Sequence, residues 1–130
     1  MHRMMTEFTP HSVLIVDDEV AIRSILDRLF RGIGFSVECA ATGVEGLKRF
    51  YQTLPEVVIV DRGMPEMNGE DMAQQIKSTH PHVPMIMISG LPHLVTRRDL
   101  FFAVLSKPFR PSELIDLVSQ ALPASAQYSD

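Results

Sequence analysis

Five short apolar runs dominate the chain, at residues 12–17 (SVLIVD), 35–39 (FSVEC), 56–61 (EVVIVD), 84–89 (PMIMIS) and 102–107 (FAVLSK). Most lack the apolar–polar alternation of a half-exposed strand, so they read as strands buried on both faces. The segments between them carry a helical period. Ile22, Ile25, Leu26 and Leu29 form one stripe, Val44, Leu47 and Tyr51 a second, and Met72 and Ile76 a third. A last segment opens on Pro111 and places Leu114, Leu117, Val118 and Ala121 on one face. The remaining interval, SGLPHLVTRRDLFF, contains Pro92 and only a weak apolar stripe, which predicts a short or irregular fourth helix.

Strand and helix thus alternate five times. Each parallel strand needs a crossover that returns over a face of the sheet, so the pattern predicts an α/β fold with a five-stranded parallel sheet and helices on both faces. The common (βα)5 arrangement is flavodoxin-like, with strand order 2-1-3-4-5 and a ligand crevice at the carboxyl ends, where the first strand meets the third. All strand ends of a parallel sheet share one rim. Here the rim receives Asp17 and Asp18, then Asp61, then Ser89, then Lys107, and the second strand, expected at an outer edge, brings no such group.

Three carboxylates converging on one crevice repel one another, and a divalent cation is the ordinary compensation. Hard oxygen donors of this kind favour Mg2+ with retained waters. Beside such a metal, the Asp61 carboxylate is a competent nucleophile toward a phosphoryl group, Lys107 is a fixed positive partner for its oxygens, and Ser89 is a hydroxyl donor. Each residue also has a plainer reading. Asp18 reads equally well as the N-cap of the first helix with Glu19 in its first turn, Ser89-Gly90 as a turn, and Lys107 before Pro108 as an extended residue at a solvated strand end, with a cis bond open to it.

Other function classes lack support. The 130 residues suit one domain, read here as residues 12–122 between an N-terminal tail at 1–11 and a C-terminal tail or truncated linker at 123–130. Net charge is −4 and the largest basic cluster is Arg97-Arg98, which argues against direct binding of nucleic acid. The single cysteine, Cys39, lies in an apolar run and reads as a small buried hydrophobe. No run approaches signal-peptide or membrane-spanning length, so a cytoplasmic setting is expected. His80 and His82 read as solvated loop histidines, Gly32 to Gly34 as a helix end and turn, the methionines as core filler, and Arg62 as a solvated loop charge.

In their order and positions, VDDE, DRGMPEMNG, SG and KPF resemble the motifs of the receiver domain of two-component response regulators, over roughly residues 12–122. The resemblance implies that Asp61 is the phosphoacceptor and that Asp17 and Asp18 hold Mg2+ together with Asp61 and the backbone carbonyl of Gly63. It implies that Ser89 is the switch hydroxyl and Lys107 the phosphate-pairing lysine. It further implies a phosphohistidine donor, on a histidine kinase or histidine phosphotransfer protein, and a downstream protein partner. On this reading RGMPEMNG bends over the metal before Asn68 caps the third helix. The sequence departs from the family at two places. Val104 stands three positions before the lysine, where Tyr or Phe is usual, and the interval from Ser89 to Lys107 is about one helical turn short.

Two rivals belong to other classes. An aspartyl-phosphate phosphatase of the haloacid dehalogenase type wants a second Asp two positions after the nucleophile, and that position is Gly63. A receiver-like interaction module that works without phosphorylation would suit the unusual fourth-helix region.

Overall fold

The computed structural model describes residues 10–122. Its elements are β1 (Ser12–Val16), α1 (Val20–Gly32), β2 (Ser36–Ala40), α2 (Gly43–Thr53), β3 (Val57–Asp61), α3 (Gly69–Thr79), β4 (Met85–Ser89), β5 (Ala103–Ser106) and α4 (Pro111–Ala121). The five strands form one sheet of order β2-β1-β3-β4-β5, with every neighbouring pair parallel. This is the flavodoxin-like arrangement expected from the alternation. Residues 1–9 and 123–130, which hold most of the expected tails, lie outside the described residues.

Alternate strand residues feed two cores. Val13, Ile15, Val57, Ile59, Ile86 and Ile88 pack beneath Leu26 and Phe30 of α1 and Leu114 and Val118 of α4. Leu14, Val16, Val58, Val60 and Met85 face Phe50 of α2 and Met72, Ala73 and Ile76 of α3. Burial on both faces explains why β1, β3 and β4 show no alternation. The edges differ from that expectation: β2 is buried only at Val37 and Ala40, and no residue of β5 is fully buried. An edge strand has one neighbour and is less completely covered.

The stripes of α3 and α4 are buried as read, at Met72 and Ile76 and at Leu114 and Val118, but in α1 and α2 part of each stripe faces outward. Ile25, Val44 and Tyr51 are exposed, at 56%, 59% and 45%. In α2 the buried line runs through Gly43, Gly46 and Phe50, with Leu47 partly covered. Glycine is what brings this helix close: a Cβ on Gly46 would stand 2.9 Å from Met72 Sδ and 3.0 Å from Val16 Cγ2. Small residues carry no hydrophobic signal, so the period pointed to the wrong face. His80 departs from its expectation too. Its ring is half-buried against Phe50 and Tyr51, with centroids 5.1 and 5.7 Å away, whereas His82 is exposed as expected.

Where a short or irregular fourth helix was expected, the chain makes two short 3-10 turns, Pro92–Leu94 and Arg98–Leu100, so the described residues hold four α-helices. Val95 and Leu100 pin this segment, at 7% and 3% exposure, and Leu100 fills the α2–α3 core. With few other buried anchors, Leu100→Ala is expected to cost about 2–5 kcal/mol in urea unfolding, the range for a buried leucine that leaves a cavity. A cost near zero would mean that the segment does not pack on this face.

Candidate functional site

The rim at the carboxyl ends of the strands gathers the expected residues. Asp61 is the last residue of β3 and is 6% exposed; Asp17 follows β1 directly and is 2% exposed; Asp18 beside it faces solvent. One carboxylate oxygen from each of these three can be chosen so that all lie within 4.8 Å of one another. Both strand extensions continue the ladder: the Asp17 N–H donates to the Ala40 carbonyl at 3.1 Å and the Lys107 N–H to the Ser89 carbonyl at 2.9 Å. Strand pairing, rather than loop folding, thus fixes where the acids and the lysine stand.

Lys107 is the shared cation. Its Nζ lies 2.9 Å from Asp61 Oδ1, 3.1 Å from Glu19 Oε1 and 3.6 Å from Asp17 Oδ2. Burial alone would pull its pKa down, but hydrogen bonds to Asp61 and Glu19 and the charge of Asp17 outweigh it and raise the value. Asp17 moves the other way for an acid. Burial and the Asp61 charge push its carboxyl up, against the Glu19 N–H and Lys107, which favour the anion. Asp17 Oδ1 accepts from the Glu19 N–H at 2.8 Å, while the Asp17 carbonyl accepts from Arg23 Nη1 at 2.7 Å.

Asp17 Oδ2 is buried and has no hydrogen-bond partner, since Lys107 is too distant to supply one. A buried carboxylate oxygen left unpaired between two other acids is the donor set of a hard divalent cation. The residues present therefore fit Mg2+. The capping alternative for the first acidic stretch fails. The residue before α1 is Glu19, not Asp18, its side chain caps nothing, and the first turn of α1 holds no acid. Glu19 is instead engaged with Lys107.

The loop between β3 and α3 folds back on Asp61. The Arg62 N–H donates to the Ile88 carbonyl at 3.0 Å and the Gly69 N–H to the Arg62 carbonyl at 3.1 Å. A Cβ on Gly69 would stand 2.8 Å from the Asp61 carbonyl oxygen, so only glycine permits this closure. Asn68 caps α3 as expected, its Oδ1 accepting from the Asp71 N–H at 2.9 Å. Gly63 is exposed and lies beside Asp61; a Cβ there would be 3.9 Å from Asp61 Oδ2. Ser89 closes β4, buried at 3%, and its Oγ accepts from the Leu91 N–H at 3.0 Å. The Lys107-Pro108 bond is cis.

Glu70 had no place in the sequence reading, and Arg62 departs from the one it was given. Glu70, in the first turn of α3, is 8% exposed. Its Oε2 accepts from the Thr96 N–H at 2.7 Å, the Thr96 hydroxyl at 3.1 Å and the Arg97 N–H at 3.2 Å, and its Oε1 lies 3.3 Å from Arg62 Nε. Arg62 is thus an ion-pair partner of a buried acid, not a solvated loop charge. Burial raises the Glu70 pKa, but the two N–H groups, the Thr96 hydroxyl and Arg62 outweigh it and hold the carboxyl below its ordinary value. An acid in a first helical turn is ordinary for the helix dipole, so nothing local marked Glu70; an arginine next to Asp61 was the one available hint.

Comparison with known proteins agrees with this geometry. The model of the response regulator receiver domain matches residues 13–119. The chain is 40% identical over 113 residues to a probable transcriptional regulator, ycf27, of Guillardia theta, covering 82% of this chain and 43% of that protein. It is 36% identical over 117 residues to the sensor kinase CckA of Brucella abortus, covering 85% of this chain and 12% of that one. The chain spans about half or less of the length of the curated relatives it matches. Among solved structures, a receiver domain protein of Clostridium thermocellum superposes with TM-score 0.79 at 28% identity, over 85% of this chain and 93% of that one. The chemotaxis protein CheY4 of Vibrio cholerae gives TM-score 0.79 at 26% identity, over 88% and 100%. With its sheet order, its acidic rim and a match over nearly all of the described residues, the chain belongs to the response regulator receiver domains, the signalling domains of two-component systems.

Proposed function

We propose that this domain takes a phosphoryl group onto Asp61 from a phosphohistidine of a histidine kinase or histidine phosphotransfer protein, and that phosphorylation changes its affinity for a downstream protein. The observation that carries this reading is a buried strand-end carboxylate, Asp61, with a lysine ammonium 2.9 Å from one oxygen and two further acids close by. In the transfer an Asp61 oxygen forms the P–O bond of an acyl phosphate as the P–N bond of the donor breaks, and the imidazole leaves and takes up a proton. Asp17, Asp18, Asp61 and the Gly63 carbonyl would hold Mg2+, which would supply positive charge for the phosphoryl oxygens.

Lys107 offsets the charge of the transferred group from the opposite side, giving up part of its contact with Glu19 and Asp61 to do so. Ser89 donates its hydroxyl to a phosphoryl oxygen, which asks only that the hydroxyl proton be directed there while its oxygen goes on accepting from Leu91. The domain catalyses its own phosphorylation and dephosphorylation and no other reaction. No helix among the described residues is long and apolar enough to cross a membrane, and the proposed setting is the cytoplasm, where such kinases present their phosphohistidine. The chain itself is not proposed to bind nucleic acid.

Intact mass after incubation with a small-molecule phosphodonor tests the acceptor. Wild type is expected to gain one phosphoryl group only when Mg2+ is present, and Asp61→Asn none; an Asp61→Asn protein modified at the wild-type rate would remove Asp61 from this role. Unmodified wild type under every condition would favour a module that binds its partner without phosphorylation.

The metal can be tested through stability. A raised carboxyl pKa means that the folded state disfavours the anion, a cost present above that pKa and relieved as pH falls through it. Asp17→Asn removes the charge and keeps an oxygen for the Glu19 N–H. In metal-free buffer at neutral pH its melting temperature is expected to rise by a few degrees, on the order of 1 kcal/mol, while the rise that Mg2+ gives the wild type disappears. A lower melting temperature would mean that Lys107 gains more from Asp17 than burial and repulsion take away.

A further inference from the structure

The segment between β4 and β5 is held to the rest of the molecule by an unusual device. Thr96 and Arg97 lie between the two short turns, and their backbone N–H groups have no helical carbonyl to reach. Both donate to one oxygen of Glu70, which also takes the Thr96 hydroxyl. The other oxygen of the same carboxylate faces Arg62, and Arg62 is bonded directly to Asp61 in the chain. Glu70 therefore stands between the acceptor and the one crossover that is not helical.

The Arg62 end of this bridge is the weak one. Arg62 Nε is buried, yet it makes no hydrogen bond; it stands 3.3 Å from Glu70 Oε1 without the alignment a bond needs. It is attracted there by charge alone. The Glu70 end is saturated by three aligned donors. A doubly negative group arriving on the neighbouring residue competes for the guanidinium, and a buried carboxylate that loses its cation is costly to keep in place.

We propose that Glu70 is a coupling residue: when Asp61 gains a phosphoryl group, Arg62 turns toward the new charge, and Glu70, left without its cation, releases the Thr96 and Arg97 amides and with them the segment between β4 and β5. This rests on the reading of Asp61 as phosphoacceptor. Val104, the residue three before Lys107, is β-branched and stiff in χ1, so it offers no ring to turn between two positions. The Arg62–Glu70 bridge supplies a route between site and segment that does not need one. By reciprocity, a partner that draws the segment off Glu70 returns Arg62 to the acceptor and favours the phosphorylated form.

Amide hydrogen exchange at Thr96 and Arg97, followed by NMR on the whole chain with phosphoryl occupancy checked by intact mass, tests the coupling. In the wild type, exchange at these two amides is expected to rise about tenfold on phosphorylation, within the span usual for coupled sites. In Glu70→Gln, which keeps an acceptor oxygen for the amides but has no charge for Arg62 to leave, phosphorylation is expected to change their exchange less than twofold, on the same scale. A phosphorylated wild type with unchanged exchange would overturn the coupling and leave the acceptor assignment standing, as would a Glu70→Gln protein that responds like the wild type. Absence of any adduct would instead overturn the acceptor assignment, and the coupling with it. Should Glu70→Gln fail to fold, the wild-type comparison alone decides.

Discussion

Two buried carboxylates and one lysine set the terms for this molecule. Asp17 and Asp61 are each almost inaccessible to solvent, and Lys107 spans them, 2.9 Å from one and 3.6 Å from the other. Like charges this close and this dry are tolerated only beside a cation. One ammonium cannot fully offset both, which leaves Asp17 Oδ2 without a hydrogen-bond partner and its pKa raised. The surrounding structure resists collapse of the arrangement. Ladder bonds carry Asp17 and Lys107 just past their strands, Arg23 holds the Asp17 carbonyl, and Gly69 lets the loop after Asp61 close tightly. Stability is lost at the rim and supplied by the two cores beneath it, as is usual where a site must hold unbalanced charge.

Much of this was legible because parallel topology converts chain order into spatial neighbourhood. Five apolar runs, most of them without alternation, imply a sheet covered on both faces, and a shared rim then gathers Asp17, Asp18, Asp61, Ser89 and Lys107 without any knowledge of tertiary contacts. The inference failed where contacts decide. Val44 and Tyr51 have the right period but face outward, because glycines at 43 and 46 let α2 approach on a side that hydrophobicity does not mark; Ile25 of α1 is exposed as well. The plainer reading of Glu19 was helix dipole chemistry, yet its partner is 88 positions away at Lys107. Glu70 was invisible for the same reason, with its donors at Thr96 and Arg97 beyond a whole strand.

The irregular crossover shows what such a missed contact does. Pro92 and the weak stripe announced that no full helix would form between β4 and β5, but they did not say what would satisfy the backbone in its place. A helix answers that question internally, each N–H finding a carbonyl four residues back. Two separate turns cannot, and the N–H groups of Thr96 and Arg97 fall in the gap between them. Their acceptor is a side chain from another element, and it is charged. A backbone held by its own carbonyls is largely indifferent to charge elsewhere. One held by a carboxylate inherits every influence on that carboxylate, including the arginine beside Asp61. Replacing a helix by two turns therefore exchanges local stability for sensitivity to the charge around Asp61, which is a useful exchange in a domain whose family carries signals.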